Sequence, residues 1–358
     1  MAKTVNLLKI ALVAPFEEPV PPETYGGTER VVFNLAEELV ALGHDVTLFA
    51  SGDSKTSAKL VACVPKSVRT LPESRNPSIR QGLHLQGLAT MLGKINLKNF
   101  DIVHNHFGWQ LLLFKDFIKA PTVTTLHGIL SEPTEKYMHN LSRKEAFISI
   151  SRSQRLHNTS LRYVATVYNG IRVQRFIFEA KPKRYLVFLG RIHPQKGPMQ
   201  AIKIARQTNH KLIIAAKIDP LEQNYFDTKI SPLIDGKQVK FIGEVNHQQK
   251  VDLLKNAKAM ISPIQWDEPF GITTIESLAC GTPVIAINRG SMSELIEDGK
   301  VGYLCRNANE MIKRVGDVDN ISRRDCRTHV EKYFTASHMT HGYLKAYEKV
   351  ISRANRLR

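Results

Sequence analysis

The segment IALVAPFEEPVPPETYGGTERVVFNLAEELVALGHDVTLFA, residues 10–50, contains one complete strand–loop–helix–strand unit. Its first run, Ile10–Pro15, is apolar and β-branched, which predicts a buried strand. Apolar residues then recur at helical spacing from Val31 to Leu42, and Thr28 is predicted to cap this helix. Asp45–Ala50 predicts the next strand. Such a unit is the building block of a parallel α/β sheet.

The same alternation runs through the rest of the chain, which predicts two successive doubly wound α/β domains with a cleft between them. The charged segment Phe178–Tyr185 has no periodicity, which is typical of a linker. We therefore place an N-terminal domain at residues 1–178, a linker at 179–184 and a C-terminal domain at 185–337. The further predicted strands are Asp101–His106, Thr122–His127, Ala146–Ser151, Val164–Gly170, Tyr185–Ile192, Lys211–Lys217, Val239–Val245, Lys258–Ile264, Thr282–Asn288 and Val301–Cys305.

Composition indicates a globular protein rather than a membrane or disulfide-rich one. The 358 residues are 42% apolar and 23% charged, and no apolar run is long enough to predict a membrane-spanning helix. The N-terminal stretch is interrupted by Asn6 and Lys9, so we interpret it as a buried strand and not as a signal peptide. Four cysteines without a C-x-x-C pair predict reduced thiols, no zinc site and a cytoplasmic location.

The net charge of +17 is the unusual feature of the composition, and it is unevenly distributed. Residues 52–181 carry 19 basic and 8 acidic side chains. A basic face could attract an anionic membrane surface, a nucleic acid or an acidic substrate. A solvated basic surface without a partner is the alternative, and composition does not decide between them.

The segment DEPFGITTIESLACGTPVIA, residues 267–286, places two carboxylates around the predicted start of a helix. The free N–H groups at a helix start attract an anion. Glu268 and Glu276 would repel a phosphate but accept hydrogen bonds from hydroxyl pairs, so the combination suits a nucleotide sugar. The alternative is that Glu276 is a solvent-facing helix residue. The amides predicted to bind the anion are those of Phe270, Gly271 and Ile272.

The segment GRIHPQKG, Gly190–Gly197, follows the first strand of the second half and carries two cations. Arg191 and Lys196 are separated by a proline-containing loop that lets both converge on one ligand. Arginine offers a planar fork and lysine a point charge, and both suit phosphate oxygens. Because ligands of such sheets bind beyond the carboxyl ends of the strands, we predict a phosphate site here rather than two surface cations.

Two weaker signals lie in the first half. Gly26 and Gly27 precede the first helix without forming a G-x-G-x-x-G motif, so alone they indicate an ordinary turn. His127 ends a predicted strand, and a lone histidine is more often structural than functional. In these positions they could also approach a phosphate or a sugar.

Taken together, these motifs resemble the family 4 retaining glycosyltransferases of the GT-B fold, which has two Rossmann-like domains facing across a cleft. The resemblance covers nearly the whole chain, and the two glutamates with seven residues between them are its most specific element. It implies that a C-terminal helix at 338–358 packs back on the first domain. The matching segments, in order, are GGTER, DIVHNH, TTLHG, VYNGI, GRIHPQKG, EPFGITTIESLACGTPVIA and EKYFTASHMTHGYLKAYEKV.

The resemblance implies transfer of a hexose from a nucleotide diphosphate sugar to an acceptor hydroxyl, with retention of anomeric configuration. A UDP-sugar is the favoured donor and GDP-mannose the alternative. The acceptor, whether a sugar, a lipid-linked glycan or a small molecule, is not identified, and cell-surface glycans, glycolipids or small glycosides are the implied products. By this resemblance Arg191 and Lys196 hold the diphosphate, Glu276 the ribose and Glu268 the sugar. Gly26, Gly27, Gly190 and the amides of Phe270, Gly271 and Ile272 complete the donor site, and His127 lies beside the sugar.

Other functions and ligands fit parts of the sequence. A sugar-nucleotide epimerase or phosphorylase could use the same scaffold, and a basic nucleic-acid-binding protein is a remote alternative that lacks any known module. Asp317 and Asp319 form a D-x-D pattern, but they lie between helical segments far downstream of the predicted cleft loops. His104 and His106 end a strand with no third ligand nearby in the sequence. We therefore expect no metal, no cofactor and no nucleic acid, and a peripheral location at the inner face of a membrane is an additional hypothesis.

Overall fold

The structure, a computed structural model, describes residues 7–130 and 133–357. Contacts divide the described chain into two compact units. The first lies within Met1–Ile150, Arg155–Gly170 and Ala336–Arg358, and the second within Ser151–Gln154 and Ile171–Thr335. Residues 1–6, which open the predicted N-terminal domain, and residue 358, which ends the predicted C-terminal helix, lie outside the described residues.

The first unit is built on a seven-stranded parallel sheet. The strands are β1 (Lys9–Val13), β2 (Asp45–Ser51), β3 (Lys59–Val64), β4 (Ile102–Asn105), β5 (Thr122–Leu126), β6 (Ala146–Ser149) and β7 (Tyr163–Thr166). Their order is β3-β2-β1-β4-β5-β6-β7. The order reverses between β1 and β4, so the loops beyond these two strands diverge and leave a crevice at their carboxyl ends.

One strand of this sheet was not predicted. Lys59–Val64 is an edge strand, and its first residues are largely exposed, with the buried positions at Cys63 and Val64. An edge strand that faces solvent lacks the apolar run by which buried parallel strands are recognised. The two buried residues at its end are too few to form an apolar run, so the local sequence pattern did not reveal this strand.

Helices cover the sheet of the first unit, and helix α1 begins differently from the prediction. Gly26 is its N-cap with φ +144°, and no side chain caps the helix, so the predicted cap at Thr28 is wrong. A Cβ on Gly26 would lie 2.7 Å from Pro22, so only glycine fits there. The helices of this unit are α1 (Gly27–Ala41), α2 (Pro77–Ile95), α3 (Trp109–Leu112), α4 (Pro133–Leu141) and α13 (Ala336–Leu357).

The second unit contains a six-stranded parallel sheet. Its strands are β8 (Tyr185–Ile192), β9 (Lys211–Ile218), β10 (Val239–Phe241), β11 (Ala259–Ser262), β12 (Val284–Ile287) and β13 (Gly302–Cys305). They are ordered β10-β9-β8-β11-β12-β13, so the reversal lies between β8 and β11. Two parallel α/β units therefore confirm the predicted fold class.

The second unit also takes in segments that the sequence assigned elsewhere. Residues 171–178 belong to it, because Ile171 pairs with Phe334 and Thr335. The predicted linker at 179–184 is held inside it, since the Lys183 amide donates to Asn256. The helices are α5 (Arg152–Arg155), which begins in this unit, α6 (Pro198–Gln207), α7 (Gln223–Tyr225), α8 (His247–Asn256), α9 (Ile272–Ala279), α10 (Met292–Leu295), α11 (Ala308–Asp317) and α12 (Arg323–Tyr333).

All four cysteines are buried and free, and burial raises the pKa of each thiol to about 12, so the thiols are protonated and poorly reactive.

Across residues 7–130 and 133–357, none of the helices combines the length and the apolar character needed to cross a membrane.

Candidate active site

The loops after β8 and β11 come together where the second sheet reverses its strand order. Gly197, at the end of the first loop, has φ +75°, and a Cβ there would lie 2.1 Å from the carbonyl oxygen of Pro263. The Gln265 amide donates to the carbonyl of Gln195 at 2.7 Å. Glycine is therefore required at position 197, and the loop that carries Lys196 is fastened to the segment after β11.

Lys196 and Glu268, which the sequence predicts to hold different parts of one ligand, are paired with each other. The Lys196 Nζ lies 2.5 Å from Oε2 of Glu268 and 4.6 Å from the ring centroid of Trp266. The indole Nε1 of Trp266 donates to the same Oε2 at 2.9 Å. The Glu268 side chain is 12% exposed, so the pair is partly desolvated and interacts more strongly than a surface ion pair. One cation and one carboxylate are thus held at a single place.

The backbone of Glu268 is held by the loop after β12. Gly290 has φ +58°, and a Cβ there would lie 2.4 Å from both the nitrogen and the oxygen of Glu268. The Ser291 amide donates to the carbonyl of Glu268 at 3.0 Å, and the Ser291 hydroxyl donates to the carbonyl of Phe270 at 2.6 Å. Position 290 therefore needs glycine, because any side chain would push Glu268 away.

Helix α9 starts next to this carboxylate, as the sequence predicts. Gly271 is the N-cap with φ +84°, and no side chain caps the helix. A Cβ on Gly271 would lie 3.5 Å from Cγ of Glu268, so the helix start and the carboxylate are neighbours. The amides of a first helical turn, here beginning at Ile272, have no partner within the helix and carry its positive dipole end. An anion can bind there.

Glu276 is buried inside the unit, and its partner is a lysine of another helix. Its exposed fraction is 1%, so the alternative of a solvent-facing residue is wrong. Lys250 of α8, 8% exposed, forms an ion pair with Oε1 of Glu276 and lies 5.8 Å from the ring of Phe176. A carboxylate and an ammonium group are costly to desolvate singly, so each stabilises the other's charge.

Arg191 lies at the end of β8, where its surroundings are cationic. Its Nε is buried and has no hydrogen-bond partner in the described part of the chain, so a ligand oxygen would satisfy it. In the parallel register Arg191 is opposite Lys217 of β9, which is also buried. Burial lowers the pKa of His193, Glu222 opposes this effect, and the charges of Arg191 and Lys196 lower the pKa further.

Gly190 precedes Arg191 within β8, and its surroundings are open. No heavy atom would lie within 4 Å of a Cβ there. Glycine is therefore not required by local packing, and its backbone can be approached closely by a ligand.

The predicted residues of the first unit lie at the carboxyl ends of its strands. Gly26 and Gly27 form the start of α1, after the loop that follows β1. His127 follows β5, and its Nε2 lies 2.8 Å from Nδ1 of His106. Burial lowers the pKa of His127 to about 4, so its imidazole is neutral near pH 7.

The residue pairs considered as metal ligands have other partners. Asp317 pairs with Arg314 at 2.9 Å, and Asp319 pairs with Lys258 at 2.6 Å. A third histidine, His127, does lie near His104 and His106, but the histidines hydrogen-bond to each other. In the described residues, no group of three or more His, Cys, Asp or Glu side chains is arranged to hold a metal ion.

Comparison with known protein families matches both units. The family model described as glycosyltransferase family 4 matches residues 25–175, and the model described as glycosyl transferases group 1 matches residues 171–318. The chain belongs to the family 4 glycosyltransferases. Together the two models match residues 25–318, which agrees with the resemblance drawn from the motifs.

Individual relatives have low sequence identity to this chain, but the matches cover most of its length. The chain is 25% identical over 336 residues to the glycogen synthase of Mycobacterium tuberculosis, a match that covers 80% of each protein. It is 26% identical over 329 residues to a phosphatidyl-myo-inositol mannosyltransferase of Propionibacterium freudenreichii, covering 84% of this chain and 83% of that one. The structure of Anabaena HepE with UDP and glucose is similar with a TM-score of 0.74 at 19% identity, covering 96% of this chain and 100% of the other. These similarities support the GT-B fold.

For this family 4 member, four residues of the candidate site were missed by sequence reasoning. Two of them left a visible signal. Lys250 shares the buried face of α8 with Val251 and Leu254, where a charge is unusual. Lys217 directly follows the apolar run 212–216 of β9 and lies one residue before the end of that strand. Trp266 and Gly290 left no specific signal, because their roles depend on contacts with Glu268 from other loops.

Proposed function

We propose that this glycosyltransferase transfers a hexose from a nucleotide diphosphate sugar to an acceptor hydroxyl with retention of configuration. A UDP-sugar is the favoured donor, supported by HepE, which was solved with UDP and glucose. The similarity to a mannosyltransferase keeps a mannose donor, such as GDP-mannose, as the alternative. The family match to glycosyltransferases does not favour an epimerase, a phosphorylase or a nucleic-acid-binding protein.

The diphosphate is assigned to the cations at the end of β8 and to the start of α9. The buried Nε of Arg191 needs an acceptor, and Lys196 lies in the adjoining loop. As the glycosidic bond breaks, negative charge grows on the leaving phosphate, and groups already oriented toward it stabilise that charge. The oxygen of the acceptor hydroxyl forms the new bond to the anomeric carbon from the face that the diphosphate leaves, and the leaving phosphate takes the hydroxyl proton. Configuration is thereby retained without an enzymic nucleophile.

The sugar and the ribose are assigned to the two carboxylates. Glu268 forms an ion pair with Lys196. Donor binding would exchange these partners, because a phosphate takes the lysine and sugar hydroxyls donate to the carboxylate. Glu276 would accept hydrogen bonds from the ribose. Gly26, Gly27 and His127 are the residues proposed for donor recognition in the first unit.

We further propose that catalysis needs no metal ion. Arg191, Lys196 and the positive end of α9 supply the charge that a divalent cation would otherwise supply to the diphosphate. Activity should therefore persist in EDTA. A loss of activity that Mn²⁺ or Mg²⁺ restores would contradict this assignment.

The observation that carries the proposal is the Lys196–Glu268 pair beside the start of α9. The test is a panel of UDP, GDP and their glucose, N-acetylglucosamine and mannose conjugates, measured by thermal shift. A ligand at one hundred times its Kd should stabilise the protein by about 2.7 kcal/mol. The anomeric configuration of a transfer or hydrolysis product is then read by proton NMR. If no nucleotide stabilises the chain, or if the configuration is inverted, the proposal is wrong.

A further inference from the structure

Three histidines of the first unit contact one another in series. The Nε2 atom of His127 lies 2.8 Å from Nδ1 of His106, and Nε2 of His106 lies 3.1 Å from Nδ1 of His104. His104 and His106 are fully buried at the end of β4, whereas His127 after β5 is only partly buried. The series therefore runs from the interior to a position that a ligand can reach.

The inner end of the series is anchored by hydroxyl groups. Tyr347 of α13 has its hydroxyl oxygen 2.6 Å from Nδ1 of His104, and Thr125 has Oγ1 2.7 Å from Nε2 of His104. Tyr343, one turn earlier on the same helix, accepts a hydrogen bond from Oγ1 of Thr125 at 3.4 Å, and its ring centroid lies 4.8 Å from that of His104. Both tyrosines are completely buried. Of the two tyrosines, Tyr347 makes the direct hydrogen bond to the series.

All three imidazoles are neutral near pH 7. Burial lowers the pKa of His104 and His106 well below the usual value, and it lowers that of His127 to about 4. A neutral imidazole has one N–H donor and one bare nitrogen that accepts. Once the donor and acceptor at one end of such a series are known, every later tautomer follows from the hydrogen bonds.

The buried tyrosine decides the direction. Among the described residues, Tyr347 has one hydrogen-bond partner, Nδ1 of His104, so its O–H must donate there or remain unsatisfied. The bare nitrogen of His104 is then Nδ1, and its Nε2–H donates to Thr125. The Nε2 of His106 lies 3.1 Å from the same nitrogen. Two bare nitrogens at that distance would repel each other, so Nε2 of His106 carries a hydrogen, which shares the lone pair of His104 Nδ1 with the Tyr347 hydroxyl. This leaves Nδ1 of His106 as an acceptor, which requires a hydrogen on Nε2 of His127.

We propose that Tyr347, acting through His104 and His106, holds His127 in its Nε2–H tautomer, so that the bare Nδ1 accepts a hydrogen bond from a sugar hydroxyl. The opposite tautomer would present an N–H donor, which suits a phosphate oxygen. Tyr347, His104 and His106 are positioning residues. The tautomer stands independently, and only the sugar contact rests on the proposed function.

The test reads the tautomer directly in the full chain. Protein with ¹⁵N-labelled histidine rings is measured by magic-angle-spinning NMR at pH 7.5, and His127→Asn identifies the signals of His127. The wild type should show a hydrogen on Nε2 and none on Nδ1. Tyr347→Phe removes the donor that sets the direction, so a second population with a hydrogen on Nδ1 should appear.

Tyr163→Phe is the control, since it removes a tyrosine hydroxyl of the same unit that donates to the carbonyl of Asn158 at 3.1 Å rather than to a histidine. Its His127 tautomer should remain that of the wild type. A wild-type His127 with its hydrogen on Nδ1 overturns the proposal even if Tyr347→Phe fails to fold. An unchanged tautomer in a folded Tyr347→Phe protein also overturns it.

Donor kinetics separate this inference from the proposed function. Tyr347→Phe should raise the KM for the nucleotide sugar several-fold and leave the affinity for the nucleoside diphosphate unchanged, because only the sugar contact is altered. If the tautomer changes but the KM does not, the positioning role holds and the sugar contact is refuted. If no nucleotide sugar binds at all, the proposed function fails while the tautomer result stands.

Discussion

Replacing Lys250 by methionine should destabilise the second unit severely. Lys250 and Glu276 are 8% and 1% exposed and are paired with each other. Methionine keeps an unbranched apolar stem of similar length, so most of the packing around the side chain survives. What is lost is the cation, and the carboxylate of Glu276 is left buried without its countercharge.

The size of the effect follows from that burial. Removing one partner of a buried ion pair costs about 3–5 kcal/mol, because the remaining charge keeps its desolvation penalty. For a unit of 150–250 residues, 1 kcal/mol shifts Tm by about 2–4 °C, so the expected fall in Tm is roughly 6–20 °C. The double variant Lys250→Met/Glu276→Met removes both charges and should unfold at or above the wild-type temperature.

The assay uses the fluorescence of Trp266, which lies in the second unit. The chain has two tryptophans, so a Trp109→Phe background leaves Trp266 as the reporter of that unit. The matched control is Lys255→Met on the same helix, whose partner Asp252 is exposed. That variant should have the same Tm as the wild type, because solvent already screens both charges.

Two results would refute this reasoning. A Lys250→Met protein with the Tm of the wild type would show that the ion pair contributes nothing to the free energy of unfolding, and hence that the carboxylate of Glu276 is solvated. A double variant as unstable as the single one would show that the loss comes from packing around position 250. Recovery in the double variant is the signature of an uncompensated charge.

Three further outcomes are expected. Lys196→Ala should lower kcat about a hundred- to a thousandfold. Glu276→Gln leaves the buried Lys250 without its countercharge and should lower Tm, so its kinetics are measured well below that Tm, where it should mainly raise the donor KM. The exposed Lys203→Ala on α6 is the control, and equal effects of both site variants on KM and kcat would contradict the division of roles. Gly290→Ala should abolish donor binding measured by calorimetry, since its Cβ would lie 2.4 Å from the backbone of Glu268. A wild-type affinity would show that the backbone shifts to accommodate the Cβ without disturbing the site. If the basic surface docks on anionic membranes, the protein should sediment with phosphatidylglycerol vesicles at low salt and be released by higher salt; equal recovery with neutral vesicles would end that hypothesis.

The strands and helices were predictable where one face or both are buried, because burial imposes a period that the local sequence displays. Most predicted strands of both sheets are therefore present with small shifts of their ends. The edge strand Lys59–Val64 was missed because solvent exposure removes that period. The cap predicted at Thr28 was wrong because Gly26 adopts a backbone conformation that suits glycine and starts the helix earlier.

The sequence by itself determined which residues follow which strand, and so placed Arg191, Lys196 and Glu268 at one end of the second sheet. That inference needs only chain order, since parallel strands have their carboxyl ends at one edge. Which side chains contact each other depends instead on strand order and helix packing. Lys250 meets Glu276 across 26 residues of sequence, and Tyr347 meets His104 across 243. No local period encodes such separations, so the tertiary structure alone decided which charges are paired and which side chains the histidines contact.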